Sequence, residues 1–352
     1  MSADGPAALP GFSGLDPQQV LDALDAAGLR GDGRILQLNS YENRVFQLFL
    51  EDGGAVVTKF YRPGRWTDAQ IVEEHQFALE LAAAEVPVVP PRLLRADPDA
   101  RQPVRLLPPD APTLACLDGA VPHRFSVSDR CAGREPELDD PGTLRRIGGF
   151  IGRLHAVGAR RRFRHRVTLD PRRDGARARD LLLCGGFVTD AELPAWRSRC
   201  DAALEAVSAA FDRVGPLEML RLHGDCHLGN VLWRDGPHVV DLDDACNGPA
   251  VQDLWMLVSG DPSTMNAQLA EILTGYRAFR DFDDLELSLI EPLRTLRMLR
   301  HSAWLAERWT DPSFPLNFPF FGTAAYWSQQ TVQLLEQLEA MDTASFRPPE
   351  DD

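Results

Sequence analysis

A short stretch in the second half of the chain concentrates side chains that could do chemistry. L-H-G-D-C-H-L-G-N-V-L-W (222–233) is followed, after a turn, by H-V-V-D-L-D-D (238–244). Within it, Asp225, Asn230 and Asp241 are spaced at intervals of five and eleven residues. The two apolar runs predict short strands joined by a turn, which would place Asn230 beside Asp241. A carboxylate and an amide oxygen that converge in this way suit Mg²⁺ that takes its remaining ligands from phosphates and water.

The composition limits the partners of such a site. The 352 residues are 44% apolar and 25% charged, which is typical of a globular protein of about two structural units. A net charge of −15 argues against a broad nucleic-acid surface and favours a small, local nucleotide site. The N-terminus lacks the features of a signal peptide, and no apolar run approaches the ~20 residues that cross a bilayer. The six cysteines show no C-x-x-C pair. We therefore expect a cytoplasmic monomer with reduced thiols and no membrane partner.

Short β-like runs dominate the first part of the chain. The runs 34–39, 44–50 and 55–61 alternate with polar or Gly-rich turns, which predicts an antiparallel meander. A helix from Pro17 to about Ala27 is predicted before them. A second helix is predicted from about Thr67, because Thr67 and Gln70 fit a capping box.

Beyond about residue 130 the pattern becomes helical. Amphipathic runs cover residues 143–157, 192–207, 268–279, 285–300 and 331–341. The sequence thus predicts an α+β protein with a small antiparallel β-rich N-terminal lobe and a larger helical C-terminal lobe. Its predicted parts are a flexible lead-in (1–14), the N-terminal lobe (15–122), a hinge (123–130) and the C-terminal lobe (131–352). Within the C-terminal lobe, the basic stretch 161–174 is expected to be a solvated loop and the aromatic run 314–321 to pack at the base.

Several segments resemble a known group of enzymes. H-G-D-C-H-L-G-N and V-V-D-L-D-D resemble the catalytic and metal-binding segments of the aminoglycoside phosphotransferase/choline kinase branch of the protein-kinase-like fold. Four further segments resemble a bacterial stress-response kinase family within that branch. They are L-N-S-Y-E-N-R-V, K-F-Y-R-P-G-R-W-T, E-E-H-Q-F-A-L-E-L and E-V-P-V. The resemblance runs from about residue 17 to the C-terminal helices. It implies a bilobal protein-kinase-like fold that binds ATP between the lobes, with the adenine against residues 123–128.

The resemblance also implies roles for single residues. Asp225 takes the place of the catalytic aspartate, which orients the acceptor hydroxyl and accepts its proton. Asn230 and Asp241 match the Mg²⁺ ligands, and Asp241 thereby belongs to the catalytic set as well. Lys59 falls on the lysine that contacts the α- and β-phosphates of ATP.

Lys59 is notable in its own right, because it is the only lysine among 37 basic residues. A compact ammonium can hold phosphate oxygens and a carboxylate at once, whereas a guanidinium is a wide planar fork. A single lysine could also be accidental, since most lysines are simply solvated. Glu74, which lies thirteen residues before Pro87, corresponds to the family's helix glutamate, and the resemblance makes it the partner of Lys59 at the nucleotide site.

The chain departs from the usual kinase pattern in three places. N-S-Y-E-N (39–43) stands where a G-x-G-x-x-G loop is usual, and the resemblance makes Ser40 a nucleotide contact. Alternatively, Ser40 satisfies the backbone of its own turn. The usual H-R-D reads H-G-D. Only eleven residues separate Asp241 from Asp253, which is too short for a phosphorylatable activation loop, so we expect no such gating.

The neighbours of the motif have more than one interpretation. His223 and His227 could form a zinc site with Cys226, but H-x-x-C-H has poor ligand geometry and no second cluster, which favours bracing of the loop by hydrogen bonds. Asp243 could bind a second Mg²⁺ or brace the loop. For Asp253, structural support of the catalytic loop is favoured.

The leading hypothesis is an ATP- and Mg²⁺-dependent serine/threonine protein kinase that acts on protein hydroxyls, its own included. A small-molecule phosphotransferase acting on an aminoglycoside, choline or homoserine is the first alternative. The acidic segment 281–286 would suit a cationic acceptor, although acidic surfaces commonly serve solubility alone. A non-catalytic nucleotide-sensing module is the second alternative.

Overall fold

The computed structural model describes residues 11–12, 14–118, 121–138, 140–343 and 346. Most of the lead-in predicted for residues 1–14 lies outside this set. Six strands in the first part pair into one antiparallel sheet, in the order β1-β2-β3-β6-β5-β4. Their bounds are β1 Gly31–Leu38, β2 Arg44–Leu50, β3 Ala55–Tyr61, β4 Val104–Leu107, β5 Leu114–Leu117 and β6 His123–Asp129. The predicted meander is therefore confirmed as β1 to β3.

The segment predicted as a hinge, residues 123–130, consists mainly of a strand. β6 pairs with β3 on one side and β5 on the other, so that Ser126 lies opposite Lys59. Alternation of large buried side chains such as Phe125 and Val127 explains why this run joins the sheet. The chain consequently leaves the sheet only after Asp129.

Helices make up most of the second part. Two helices lie in the first part, α1 Pro17–Ala26 before β1 and α2 Asp68–Ala83 between β3 and β4. The helices of the second part are α3 Pro141–Gly158, α4 Pro171–Cys184, α5 Leu193–Val214, α6 Pro262–Arg277, α7 Ile290–Glu307, α8 Ser313–Asn317 and α9 Ala324–Thr343. Four short strands accompany them: β7 Leu220–Leu222, β8 Val231–Trp233, β9 Pro237–Val239 and β10 Cys246–Gly248. The predicted bilobal, protein-kinase-like α+β fold is thus confirmed.

An Asp-Pro dipeptide begins α1, α3, α4 and α6. In each, the aspartate accepts a hydrogen bond from a backbone N–H of the first turn, and the proline occupies the first helical position. The carboxylate satisfies donors that have no partner within the helix, and the fixed φ of proline suits that position.

The prediction of a solvated basic loop for residues 161–174 is wrong in part. The Glu73 carboxylate of α2 accepts hydrogen bonds from the backbone N–H groups of residues 164–166, and the Arg166 side chain is buried. Its guanidinium donates to the carbonyl oxygens of Ala245 and Asp243 and lies 3.9 Å from the centre of the Trp66 ring. Because a buried arginine needs such acceptors, this stretch is a contact between the lobes.

The helices α3 and α6 pack unusually closely. A Cβ placed on Gly148 would lie 1.9 Å from the carbonyl oxygen of Ile272, and one on Gly152 would lie 2.6 Å from that of Tyr276. Only glycine therefore allows this approach of the two backbones. In the same pair His155 of α3 meets the hydroxyl of Tyr276 at 2.9 Å, which directs its ring toward the loop after β7.

The aromatic run 314–321 was expected at the base of the helical lobe, but part of it contacts the sheet. The Phe318 ring packs edge-on against Tyr41, in the turn between β1 and β2, with the ring centres 4.9 Å apart.

Among the described residues, no helix has both the length and the apolar character needed to span a membrane.

Candidate active site

A hairpin of β8 and β9 brings two of the predicted side chains together. Val231 pairs with Val239, and the N–H of Val240 donates to the carbonyl oxygen of Asn230 at 3.0 Å. Asp241 follows with a left-handed backbone (φ 65°), a conformation that aspartate adopts more readily than most residues. Asn230 and Asp241 therefore leave the same end of the hairpin.

Lys59 reaches this hairpin from the middle of the sheet. Its ammonium lies 2.5 Å from a carboxylate oxygen of Asp241, 182 residues away in sequence. Burial alone would lower the pKa of Lys59, but the charges of Asp241 and Asp243 outweigh it and raise the pKa. The two parts of the chain are thus joined by an ion pair between two of the predicted site residues.

Glu74 is buried on α2, as its position beside the apolar stripe predicts. The expected ion pair with Lys59 is not formed: within the described residues, Lys59 pairs with Asp241 instead. The Glu74 carboxylate lies 3.7 Å from the ring of His75, which is neutral because burial lowers the pKa of His75 to about 3. Burial raises the pKa of Glu74 to about 7, with the Lys59 charge opposing the rise. Glu74 therefore makes no direct contact with Lys59, and its charge helps to raise the pKa of the lysine.

Asp225 is held from two sides. One carboxylate oxygen accepts a hydrogen bond from Arg297 of α7, and the other lies 3.5 Å from the His227 ring. Burial would raise the pKa of Asp225, but the hydrogen bond from His227 and the charge of Arg297 outweigh it and lower the pKa. Asp225 is consequently ionised, as a proton acceptor must be.

The loop that carries Asp225 rests on Asp253. The Asp253 carboxylate accepts hydrogen bonds from the backbone N–H groups of His223 (2.7 Å) and Gly224 (2.8 Å), and the buried His155 ring lies 3.1 Å from it. The structure thus places Asp253 in the supporting role that the sequence favours. His223 braces the same loop, because its Nε2 meets the carbonyl oxygen of Val240 at 3.0 Å.

Gly224 explains why the motif reads H-G-D. Its φ is +85°, and a Cβ there would lie 2.1 Å from the carbonyl oxygen of Asp244. An arginine at this position would be strained and would clash with backbone.

The turn between β1 and β2 is tied down at both ends. The hydroxyl of Ser40 accepts a hydrogen bond from the N–H of Asn43 at 3.2 Å, which is the local-turn role, and its nucleotide contact stays a prediction. The Glu42 carboxylate accepts from Trp304 (2.6 Å) and Arg308 (2.7 Å) at the end of α7. This turn therefore contacts the helical lobe directly.

Two arginines of the R-P-G-R segment, which sequence reasoning left unassigned, join the lobes. Arg62 is fully buried and pairs with Glu42 (3.3 Å) and Asp311 (3.0 Å). Arg65 pairs with Asp243 and, at 2.6 Å, with Asp244. The sequence gives one indication of their importance: Arg62 directly follows the strand of Lys59, and Arg65 lies three residues later.

The donor atoms suit a divalent cation. Asp241 and Asn230 offer hard oxygen atoms, and Asp243 has one buried oxygen that accepts no hydrogen bond from any described residue. The second oxygen of Asp243 is engaged by Arg65 and Asn43, so Asp243 also braces the loop. In the described part of the chain, no cluster of three or more His, Cys, Asp or Glu side chains could hold a metal by itself. A metal here would share its ligands with a bound phosphate.

Comparison with known proteins identifies the family of the chain. Residues 34–287 match the family described as phosphotransferase enzyme family. Stress response kinase A of Escherichia coli (strain K12) is 42% identical over 330 residues, which cover 94% of each chain. Serine/threonine protein kinase RdoA of Salmonella typhimurium is 40% identical over the same length and coverage. Among solved structures, amicoumacin kinase hAmiN in complex with AMP-PNP, Ca²⁺ and Ami has a TM-score of 0.65 at 17% identity and covers 96% of both chains. This last likeness concerns the fold alone.

Proposed function

The chain belongs to the phosphotransferase enzyme family, in the branch of the stress response kinases, and from this premise we propose that it is an ATP- and Mg²⁺-dependent serine/threonine protein kinase. The family makes it a phosphotransferase with a hydroxyl acceptor. The identity of the donor, the metal and the acceptor is the proposal.

One observation carries the nucleotide part of the proposal. The sole lysine of the chain lies 2.5 Å from Asp241 at the mouth of the β8–β9 hairpin, although the two belong to different lobes. An ammonium and a carboxylate that face each other across a cleft can bind a triphosphate and its metal, respectively. Lys59 would hold the phosphates, with Ser40 in the turn above them and Glu74 behind the ammonium.

Asp241 and Asn230 would hold Mg²⁺, which when bound neutralises the charge that develops on the transferred phosphoryl group. The chain's own contribution is position and charge. The β8–β9 hairpin fixes the two ligands, and the sheet fixes Lys59 opposite them.

Asp225 would orient the acceptor hydroxyl and take its proton. Its carboxylate is ionised, and Asp253 holds the backbone on which it stands. Such positioning supplies most of the catalysis in phosphoryl transfer.

The name of the RdoA relative, serine/threonine protein kinase, supports a protein hydroxyl as the acceptor. The chain itself is included among the proposed acceptors. We propose that the chain works as a monomer in the cytoplasm, and its six free cysteines suit that reducing compartment.

Asp225→Asn tests the mechanism. With labelled ATP, Mg²⁺ and a serine/threonine protein substrate, the variant should lose phosphoryl transfer by about 10²-fold or more, because the proton acceptor is removed. Nucleotide affinity, measured by calorimetric titration of ADP and Mg²⁺, should be nearly unchanged.

Asp212→Asn is the matched control, because Asp212 is an exposed carboxylate of α5 that pairs, among the residues that the structure describes, with Arg172 alone. It should keep the full rate. Transfer at the wild-type rate in Asp225→Asn would remove Asp225 from the mechanism. Stronger turnover of choline, homoserine or an aminoglycoside than of any protein would overturn the protein-kinase assignment.

A further inference from the structure

A cavity of about 490 Å³ opens beside Asp225. Arg297 and His227, the two residues that hold the Asp225 carboxylate, both line it. The cavity therefore lies on the side of Asp225 from which an acceptor hydroxyl can approach. Its remaining walls are Trp255, Met256, Val258, Arg294, Met298, His301, Gln330 and Gln333.

The side chains that carry a full charge in the lining of this cavity are arginines. Its lining, which consists entirely of described residues, contains two arginines and no carboxylate. Arg294 is neutralised by Glu291 at 2.7 Å. Burial and the charge of Arg297 lower the pKa of His301, so its ring is neutral near pH 7. Arg297 is thus the cation whose charge the cavity presents to an acceptor.

Within the described ranges of the chain, Arg297 pairs with one carboxylate, that of the predicted catalytic residue Asp225. Arg297 donates a hydrogen bond to one carboxylate oxygen of Asp225. When an acceptor hydroxyl donates to that oxygen instead, the guanidinium loses this partner. Because the Arg297 side chain is 46% exposed, it can turn toward the cavity. An anionic group on the acceptor would replace the lost partner and leave Asp225 available as the base.

The acidic segment 281–286, whose charge suggests a cationic acceptor, lies elsewhere. Asp281 and Asp283 line a different cavity together with Glu218 and Arg280. Asp281 and Asp283 therefore do not contribute to recognition of the acceptor beside Asp225.

We propose that Arg297 binds a negatively charged group of the acceptor, so that the chain phosphorylates serine or threonine hydroxyls that are flanked by aspartate or glutamate. The inference rests on the proposed kinase function and names its acceptor class. Arg297 is a specificity-determining residue that also positions Asp225.

Three peptide series test the proposal. Each series presents one serine or threonine flanked by Asp/Glu, by Gln or by Lys, and the transfer of labelled phosphate is measured with ATP and Mg²⁺. The acidic series should have the highest kcat/KM, on the order of two- to fivefold above the neutral series, as expected for one partly exposed ion pair.

Arg297→Gln should abolish the difference between the acidic and neutral series, and Arg297→Glu should make the Lys series the best. Arg297→Lys keeps the charge and should keep the order of the series. A purely structural role of Arg297 would lower all three series together and leave their order unchanged, which would overturn the proposal.

Arg300→Gln is the matched control. Arg300 is an exposed arginine one turn further along α7 that does not line the cavity, so its loss should leave the preference intact. Equal transfer to all series by the wild type would refute the inference and leave the kinase function standing. Failure to phosphorylate any peptide while ATP and Mg²⁺ bind would refute both.

Discussion

Lys59 is the residue on which the nucleotide site depends most. It stands in β3, opposite Val45 of β2 and Ser126 of β6, so its backbone is fixed by strands on both sides. Its side chain is confined between the sheet and Asp241, with 20% of its surface exposed. A positive charge alone does not reproduce this contact, because a guanidinium is a wide planar group whereas the ammonium is compact.

Lys59→Arg should therefore reduce kcat by roughly tenfold or more, although the positive charge is kept, which corresponds to about 1.4 kcal/mol of lost transition-state stabilisation. Steady-state kinetics with saturating ATP would measure it. The exchange Arg172→Lys on the exposed face of α4 is the control and should leave the rate unchanged. An undiminished rate in Lys59→Arg would show that the lone lysine is accidental.

Glu74 makes stability depend on pH. Its pKa is raised to about 7 by burial, from an ordinary 4.5, so the folded chain binds this proton more tightly than the unfolded chain. The stability that this proton contributes is fully present below pH 4.5 and is lost as the pH rises from there through about 7. The full loss corresponds to about 3 kcal/mol.

Glu74→Gln removes the titrating group and should remove this loss. Urea unfolding of both proteins at pH 5 and pH 8, without nucleotide, would measure the change. The free energy of unfolding of the variant, relative to the wild type, should be higher at pH 8 than at pH 5 by up to about 3 kcal/mol. A difference between the two proteins that does not vary with pH would contradict the shifted pKa.

At the scale of elements, the close pair of α3 and α6 supports the catalytic loop from behind, because it carries His155 and Tyr276 to Asp253. Gly148→Ala should lower the free energy of unfolding by about 2–3 kcal/mol, since the new methyl group would meet the backbone of Ile272. Chemical denaturation monitored by far-UV circular dichroism would measure it.

Gly142→Ala, in the first turn of α3, is the control. Its Cβ would approach only the Asp140 side chain, at 3.3 Å, so stability should change by no more than about 0.5 kcal/mol. If both variants were equally stable, the tight contact between α3 and α6 would not be a constraint on the fold.

Local patterns in the sequence predict those elements whose residues carry their own signal. The meander β1 to β3 follows from alternating apolar residues and Gly-rich turns, and the β8–β9 hairpin follows from two apolar runs around R-D-G-P. The hairpin is why Asn230 and Asp241 could be placed together. The Asp170-Pro171 start of α4 carried a comparable signal, but the many arginines around it obscured the helix.

Contacts between distant segments could not be predicted in this way. Nothing near Lys59 in sequence shows that its partner is Asp241 rather than Glu74, because that choice depends on how the two lobes meet. Arg297 likewise lies in an ordinary amphipathic helix. Its spacing with Arg294 and His301, at i, i+3 and i+7, would have shown a basic face on α7 but not what that face meets.

At the scale of the whole molecule, buried charges connect the lobes. Arg62 belongs to the segment after β3, and its partner Asp311 lies beyond α7. Arg65 reaches Asp243 and Asp244 after β9. Separation of the lobes would break these ion pairs and expose Phe77 and Leu81 of α2, which share one hydrophobic core with the helical lobe.

The sheet and the helices should therefore melt together. Differential scanning calorimetry should record one heat-absorption peak whose calorimetric and van't Hoff enthalpies agree. Two resolved peaks would show that the lobes unfold independently. By the same reasoning, a gene fragment that encodes residues 15–130 alone should yield an insoluble or rapidly degraded product. In such a fragment the guanidinium of Arg62 would keep Glu42 as a partner but lose Asp311.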